Sequence, residues 1–433
     1  MKTTELFDGN QLHAAPKPRK VKEPKCEFRG IKPDGTDISV PLNAKLLSQH
    51  VLFLGGIGTG KTTAILQVLL QLRQNMEQNP NKNDIMIIFD TKGEFHEKLY
   101  RPGVDIVISN DDTATGFWNI FGEIEQNKRM AGNIVEIANT LFQGKIEKTQ
   151  QPFFPNAAKD LFSAVLTHFI RNKDTMSCDN KSLRDFLFSN PTAQIREMLQ
   201  GHDDLKAMIS YIFDDRAPQT QGVISELQQM AREIFLENFA EKGNLSMRGL
   251  VRAKGGKIVF IEYDLGIGNM LTPIYSLLFD MAIKEALSRS KSEDESKGNV
   301  YIITDEFSLL PHLRHVDDAV NFGRSFGVKF MIGLQNVNQV FDAYGEDRAR
   351  SILSGFLTSV AFRVGDVHSK EYVKSLHGEN LKMISYTTAI SESLKTEIRD
   401  ANVVEDWDIS RLDTGQAIIG LPRQEPFLFK FKE

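Results

Sequence analysis

The sequence predicts an α/β protein with a largely parallel sheet and an inserted all-helical domain. Three observations carry this. Short apolar runs of buried-strand length recur at 51–54, 85–89, 257–263, 300–304 and 328–335. Stretches with apolar residues at helical spacing separate most of them, which is the pattern of parallel strands covered by helices on both faces. Between 128 and 250 strand candidates are nearly absent, and helical periodicity dominates, as in Ala158, Leu161, Phe162, Val165 and Phe169.

A chain of 433 residues is long enough for one large domain with an insertion, or for two or three smaller ones. No run approaches the roughly 18 apolar residues of a membrane span, and the first residues lack a secretory apolar core. These features predict a cytoplasmic protein without a direct membrane span. Cys26 and Cys178 are too few for a disulfide framework and match no metal spacing. The net charge of −5 excludes a general electrostatic pull toward nucleic acid. A DNA partner would have to meet a local patch or a channel formed on assembly.

In chain order, residues 1–25 read as a disordered basic arm, with Lys17, Arg19, Lys20, Lys22 and Lys25 among prolines. Residues 26–42 read as two short strands around the turn Pro33-Asp34-Gly35. The apolar run Val51–Leu54 then meets Gly55-Gly56-Ile57-Gly58-Thr59-Gly60-Lys61-Thr62-Thr63, which opens a helix. Strand, glycine-rich loop and helix in this order form a phosphate-binding loop: inward-turned amides and a helix N-terminus converge on one anion. Lys61 is expected to reach the terminal phosphates, and Thr62 to place its hydroxyl on Mg.

A second strand, 85–89, ends in Asp90-Thr91-Lys92-Gly93-Glu94, and a third, 105–109, leads to Thr115-Gly116-Phe117-Trp118-Asn119. After the helical insertion the sheet resumes at 257–263, followed by a helix over 271–287 and a solvated run, SRSKSEDESKG. The expected domains are therefore 26–127 together with 251–433 for the nucleotide-binding part, and 128–250 for the all-helical insertion.

The strand at 300–304 delivers Asp305 and Glu306 to its C-terminal end, where open α/β sheets bind ligands. Asp305 suits the Mg position and Glu306 the base that polarises an attacking water. Gln335 ends the next strand, where its amide can contact both the γ-phosphate and that water. Arg324, within Gly323-Arg324-Ser325, is placed to reach the phosphate of a neighbouring subunit's site or to cap a surface helix.

FLGGIGTGKTT, IIFDTKGEF, TGFWNIF, FFPNAAKDLF, IITDEFSLLP, FGRSFGVKFMIGLQNVNQVFDAYG and TEIRD…GQAIIGLPRQEPF follow one another in this chain. From Cys26 to the C-terminus the text resembles the TraG/TraD coupling-protein ATPases of conjugative type IV secretion, relatives of the FtsK and HerA DNA translocases. Thr91 stands where that family usually has proline. Family members usually begin with transmembrane helices and some carry a C-terminal tail; neither is read in this sequence.

The resemblance implies a RecA-like phosphate-loop ATPase, ATP and Mg as cofactors, and a hexameric ring with a central channel. It also implies DNA passage driven by hydrolysis, Arg324 as a finger acting in trans and Gln335 as a sensor. Three readings stay open. One is an ATP-driven DNA translocase of the coupling-protein type. Another is a nucleotide-gated receptor that recruits a relaxase or effector protein to a secretion-channel protein, peripheral to the inner membrane. The third is a DNA-processing or defence motor working with a nuclease.

Overall fold

The strand that feeds the phosphate loop, Val51–Leu54, is buried on both faces because neighbours flank it on either side. The computed structural model describes residues 2–18, 20–190, 192–288, 298–388 and 391–432. Arg19 and the run 289–297, read above as part of a basic arm and as a solvated connection, lie outside the described residues. The strands are β1 (Lys2–Asp8), β2 (Pro24–Ile31), β3 (Asp37–Asn43), β4 (Val51–Leu54), β5 (Ile85–Asp90), β6 (Ile106–Ile108) and β7 (Lys257–Glu262). They continue as β8 (Val300–Thr304), β9 (Val328–Leu334), β10 (Thr358–Ala361), β11 (Glu379–Thr388), β12 (Ser391–Asn402), β13 (Gln416–Gly420) and β14 (Phe427–Lys430).

The chain forms two compact units. The first comprises Met1–Asn83, Ser292–Ser308 and Asp317–Glu433. Its strands run β14-β13-β10-β4-β9-β8, parallel from β10 to β8 and antiparallel at β13 and β14. The central strands are apolar throughout, since both their faces are covered and no solvated face calls for alternation. β2 and β3 form the hairpin expected around Pro33-Asp34-Gly35, and Phe28 from β2 packs edge-on against Phe53 of β4.

One sequence expectation is corrected here. Residues 2–8, read as part of a disordered arm, form β1 and pair antiparallel with β11, whose other edge holds β12. An unpaired strand edge is a template for backbone hydrogen bonding, and a seven-residue segment without proline can fill it. The segment that follows is also tied down, through His13 and Lys17 to Glu425.

The second unit comprises Asp84–Lys291 and Leu309–Val316. It holds the parallel strands β5-β7-β6 and the helices between Met130 and Ala253. Two long helices, Met130–Lys148 and Phe153–Arg171, pack on each other and on Pro218–Ile234 through Leu141, Phe142, Leu161, Phe162, Val165, Leu227 and Met230. Asp90 at the end of β5 accepts from the amides of Lys92 and His96, so it fastens the turn into the helix Glu94–Leu99.

Candidate nucleotide site

The phosphate loop is shaped by its glycines. Gly58 and Gly60 sit at φ +70° and +104°, a left-handed backbone that a side chain resists. Gly55 has no room for a side chain: a Cβ there would lie 2.6 Å from Cβ of Phe362 and 2.8 Å from Oγ1 of Thr59. The loop is anchored to both neighbouring strands, since Gly55 N–H donates to Leu334 O and Gly56 N–H to Arg363 O, each at 3.0 Å. Thr59 Oγ1 closes the turn by donating to Gly56 O at 2.8 Å. Ile57 at the tip is solvent-exposed. The helix Lys61–Gln78 starts directly from Gly60.

Lys61 is buried, and its Nζ donates to the carbonyls of Gly55 at 2.5 Å and Gly56 at 3.3 Å. The ammonium thus lies folded against the inside of its own loop. Next to it, Thr62 Oγ1 donates to Asp305 Oδ2 at 2.6 Å, joining the loop to the end of β8. Asp305 is buried, and its second oxygen, Oδ1, has no hydrogen-bond partner among the described residues. A buried carboxylate oxygen left without a donor is costly unless water or a cation meets it. The hydroxyl–carboxylate pair with an open oxygen is therefore the donor set that fits a hard cation such as Mg. Thr63 is exposed on the outer face of the helix.

Glu306 is held from two sides. Ser308 Oγ donates to its Oε1 at 2.8 Å and Gln335 Nε2 to its Oε2 at 2.6 Å. Lys61, Thr62, Asp305, Glu306 and Gln335 thus form one cluster at the C-terminal ends of β4, β8 and β9. Arg324 is not part of it. It lies exposed in the turn Gly323–Phe326 that precedes β9, at the opposite end of the strand.

Three contributors were not read as site residues. Gly333 lets β9 pass the Asp305 turn, because a Cβ there would lie 2.4 Å from Asp305 O. Gly415 abuts the loop, its N–H donating to Thr59 O at 2.9 Å. Ser308 fixes Glu306. Only Ser308 left a local signal, two residues past the acid; the others act through contacts that exist only once distant segments meet.

In the second unit Glu136, Asp280 and His315 also converge. His315 Nδ1 lies 3.0 Å from Asp280 and Nε2 3.2 Å from Glu136, while Lys284 pairs with Glu136. Burial lowers the His315 pKa, but the Asp280 hydrogen bond and the two carboxylates outweigh it and hold the ring above its ordinary value. With an ammonium already present, the cluster is an ion-pair network.

The family described as type IV secretion-system coupling protein DNA-binding domain matches residues 37–429. This chain belongs to that family. Among curated relatives, the coupling protein TraD of Escherichia coli K12 is 23% identical over 391 residues, which span 86% of this chain and 50% of TraD. VirD4 of Bartonella henselae, a type IV secretion system-coupling protein, is 24% identical over 335 residues, 73% of this chain and 51% of that protein. The chain therefore spans about half the length of these relatives. A structure of the plasmid coupling protein TrwB in complex with ADP and Mg2+ superposes with a TM-score of 0.74 at 18% identity, covering 99% of this coupling protein and 94% of that chain. That likeness shows the fold, a RecA-like α/β arrangement with a helical domain.

Proposed function

We propose that this coupling protein binds ATP with Mg and hydrolyses it to move DNA, as a ring of identical subunits. The observation that carries the reading is Thr62 bonded to Asp305 beside an Asp305 oxygen with no partner, with Glu306 and Gln335 paired next to them. Its fold relative TrwB is described in complex with ADP and Mg2+, which supports the same ligand in this loop.

Thr62 and Asp305 would hold Mg, which supplies charge neutralisation on the phosphates when bound. Lys61 would leave the Gly55 and Gly56 carbonyls for the phosphates, a stronger, charge-assisted partner. Glu306 orients and polarises the water, and Gln335 keeps that carboxylate aimed while offering an amide to the γ-phosphate. The reacting groups stand on strand ends and rigid turns, so little reorganisation accompanies the reaction. A hexameric ring with a central channel would provide the local DNA path that the net charge of −5 requires.

ATP turnover measured alone, with single-stranded DNA and with double-stranded DNA across a salt series tests the proposal. Stimulation by DNA that falls with salt is expected. Stimulation by a relaxase or effector protein but not by DNA would replace the motor with a recruitment receptor.

A further inference from the structure

The edge of the first unit opposite the phosphate loop carries a cavity of about 340 Å³, bounded by Lys45, Gln49, Arg324 and Arg423 among others. The three cations come from three separate segments. Lys45 precedes β4, Arg324 precedes β9, and Arg423 lies in the turn between β13 and β14. The register brings them together. Met331 of β9 pairs with Val51, where β4 begins, so Arg324 lies upstream of both strands. Gly420 at the end of β13 pairs with Ser359 near the start of β10, which places the following turn at the same edge.

No carboxylate lines this cavity. Among the described residues none of the three cations has an ion-pair partner, and Glu425, two residues past Arg423, is engaged by His13 and Lys17. Three like charges around one concavity repel each other and invite an anion. Arg423 also holds a left-handed backbone, φ +61°, which a non-glycine residue adopts at a cost of about 1 kcal/mol or more.

The anion cannot be in the chain's own phosphate loop. β9 has seven residues, so its two ends are roughly 20 Å apart at about 3.3 Å per residue. A nucleic-acid track would call for cations spread along a stripe, whereas these converge on a single pocket. A free nucleotide would call for a surface to receive its base, and no aromatic ring lines the cavity.

We infer that Lys45, Arg324 and Arg423 together cradle the terminal phosphates of a nucleotide held in the phosphate loop of a second copy of this chain. The inference rests on the assembly and nucleotide reading above, and extends it from one arginine to a three-cation cradle.

The test uses Lys45→Ala, Arg423→Ala and Arg324→Ala in the full chain. Readouts are ATP turnover against protein concentration, affinity and stoichiometry for a fluorescent ATP analogue, and the salt dependence of single-stranded DNA binding. All three side chains are exposed, so each variant is expected to melt with the wild type. The expected result is a tenfold or larger loss of turnover in each at saturating protein, one nucleotide per chain, and affinity within about twofold of wild type. Mixing Arg423→Ala with Glu306→Gln subunits is expected to restore part of the turnover.

Wild-type turnover in Lys45→Ala and Arg423→Ala, with Arg324→Ala impaired, would overturn the cradle and leave the ring intact. Concentration-independent turnover by a wild-type monomer would instead overturn the assembly reading. A second nucleotide per chain that Arg423→Ala abolishes would assign the cavity to free nucleotide. Unchanged DNA-free turnover with a DNA salt slope reduced by about one per lost cation would assign it to nucleic acid. Either assignment overturns the inference.

Discussion

Gln335 Nε2 donates to Glu306 Oε2 at 2.6 Å, so the amide at the end of β9 holds the carboxylate that follows β8. Each residue is placed by its own strand, and β8 and β9 are in parallel register from Val300 and Val328 to Thr304 and Ile332. The pair is a consequence of that register. Gln335→Ala is expected to lower ATP turnover by about 10²-fold, with nucleotide affinity near wild type, because the aim of Glu306 is lost and binding is not. Glu306→Gln is expected to bind ATP normally and to lose more turnover. Wild-type turnover in both variants would remove Glu306 from the water-activating role.

Lys61→Ala is expected to remove tight triphosphate binding, since the ammonium inside the loop is its point charge toward the phosphates. The measurement is a titration with a fluorescent ATP analogue. Retained affinity would show that the backbone amides suffice.

Gly333→Ala adds one methyl group where the Asp305 carbonyl stands 2.4 Å away. Relief calls for a shift of β9 against the Asp305 turn. The expected result is a stability loss of about 1–3 kcal/mol by urea titration and a larger loss of Mg-dependent nucleotide binding. An unchanged Mg dependence would separate this glycine from the site.

Arg248 is buried and reaches Glu285 at 3.1 Å, Glu125 at 3.2 Å and the carbonyl of Glu123 at 3.1 Å. Arg248→Met leaves part of that network without its cation, at an expected cost of about 3–5 kcal/mol. Trp118, buried in the same unit with its Nε1 on Glu123, reports the unfolding. An unchanged urea midpoint in a Trp407→Phe background would contradict the expectation.

His50 is buried between Phe330 and Phe356, and its Nδ1 accepts from Phe330 N–H at 3.0 Å. Burial, helped by the Lys329 charge, pushes its pKa down to about 4. The folded state therefore takes up this proton less readily than the unfolded chain. The ring's contribution is present above its ordinary value near 6.5 and is lost as pH falls toward 4, on the order of 3 kcal/mol in all. His50→Asn keeps an acceptor at a position with φ +56° and is expected to flatten this acid slope. Parallel acid titrations of wild type and variant would assign the slope elsewhere.

The phosphate loop, the acidic pair, Gln335 and the helical stretch after 128 were legible in the sequence because each is a local pattern. Loop, strand and helix follow from glycines, apolar runs and 3.6-residue periodicity, which neighbouring residues impose on one another. The tertiary structure decided what depends on which segments meet. It paired Thr62 with Asp305 across 243 residues, made Gly333 indispensable to the Asp305 turn, and drew Lys2–Asp8 out of a supposed arm onto β11. It also gathered Lys45, Arg324 and Arg423 at one edge. A single cation in a turn carries no local mark of its distant neighbours, since their convergence is fixed by strand order and register, which periodicity alone does not encode.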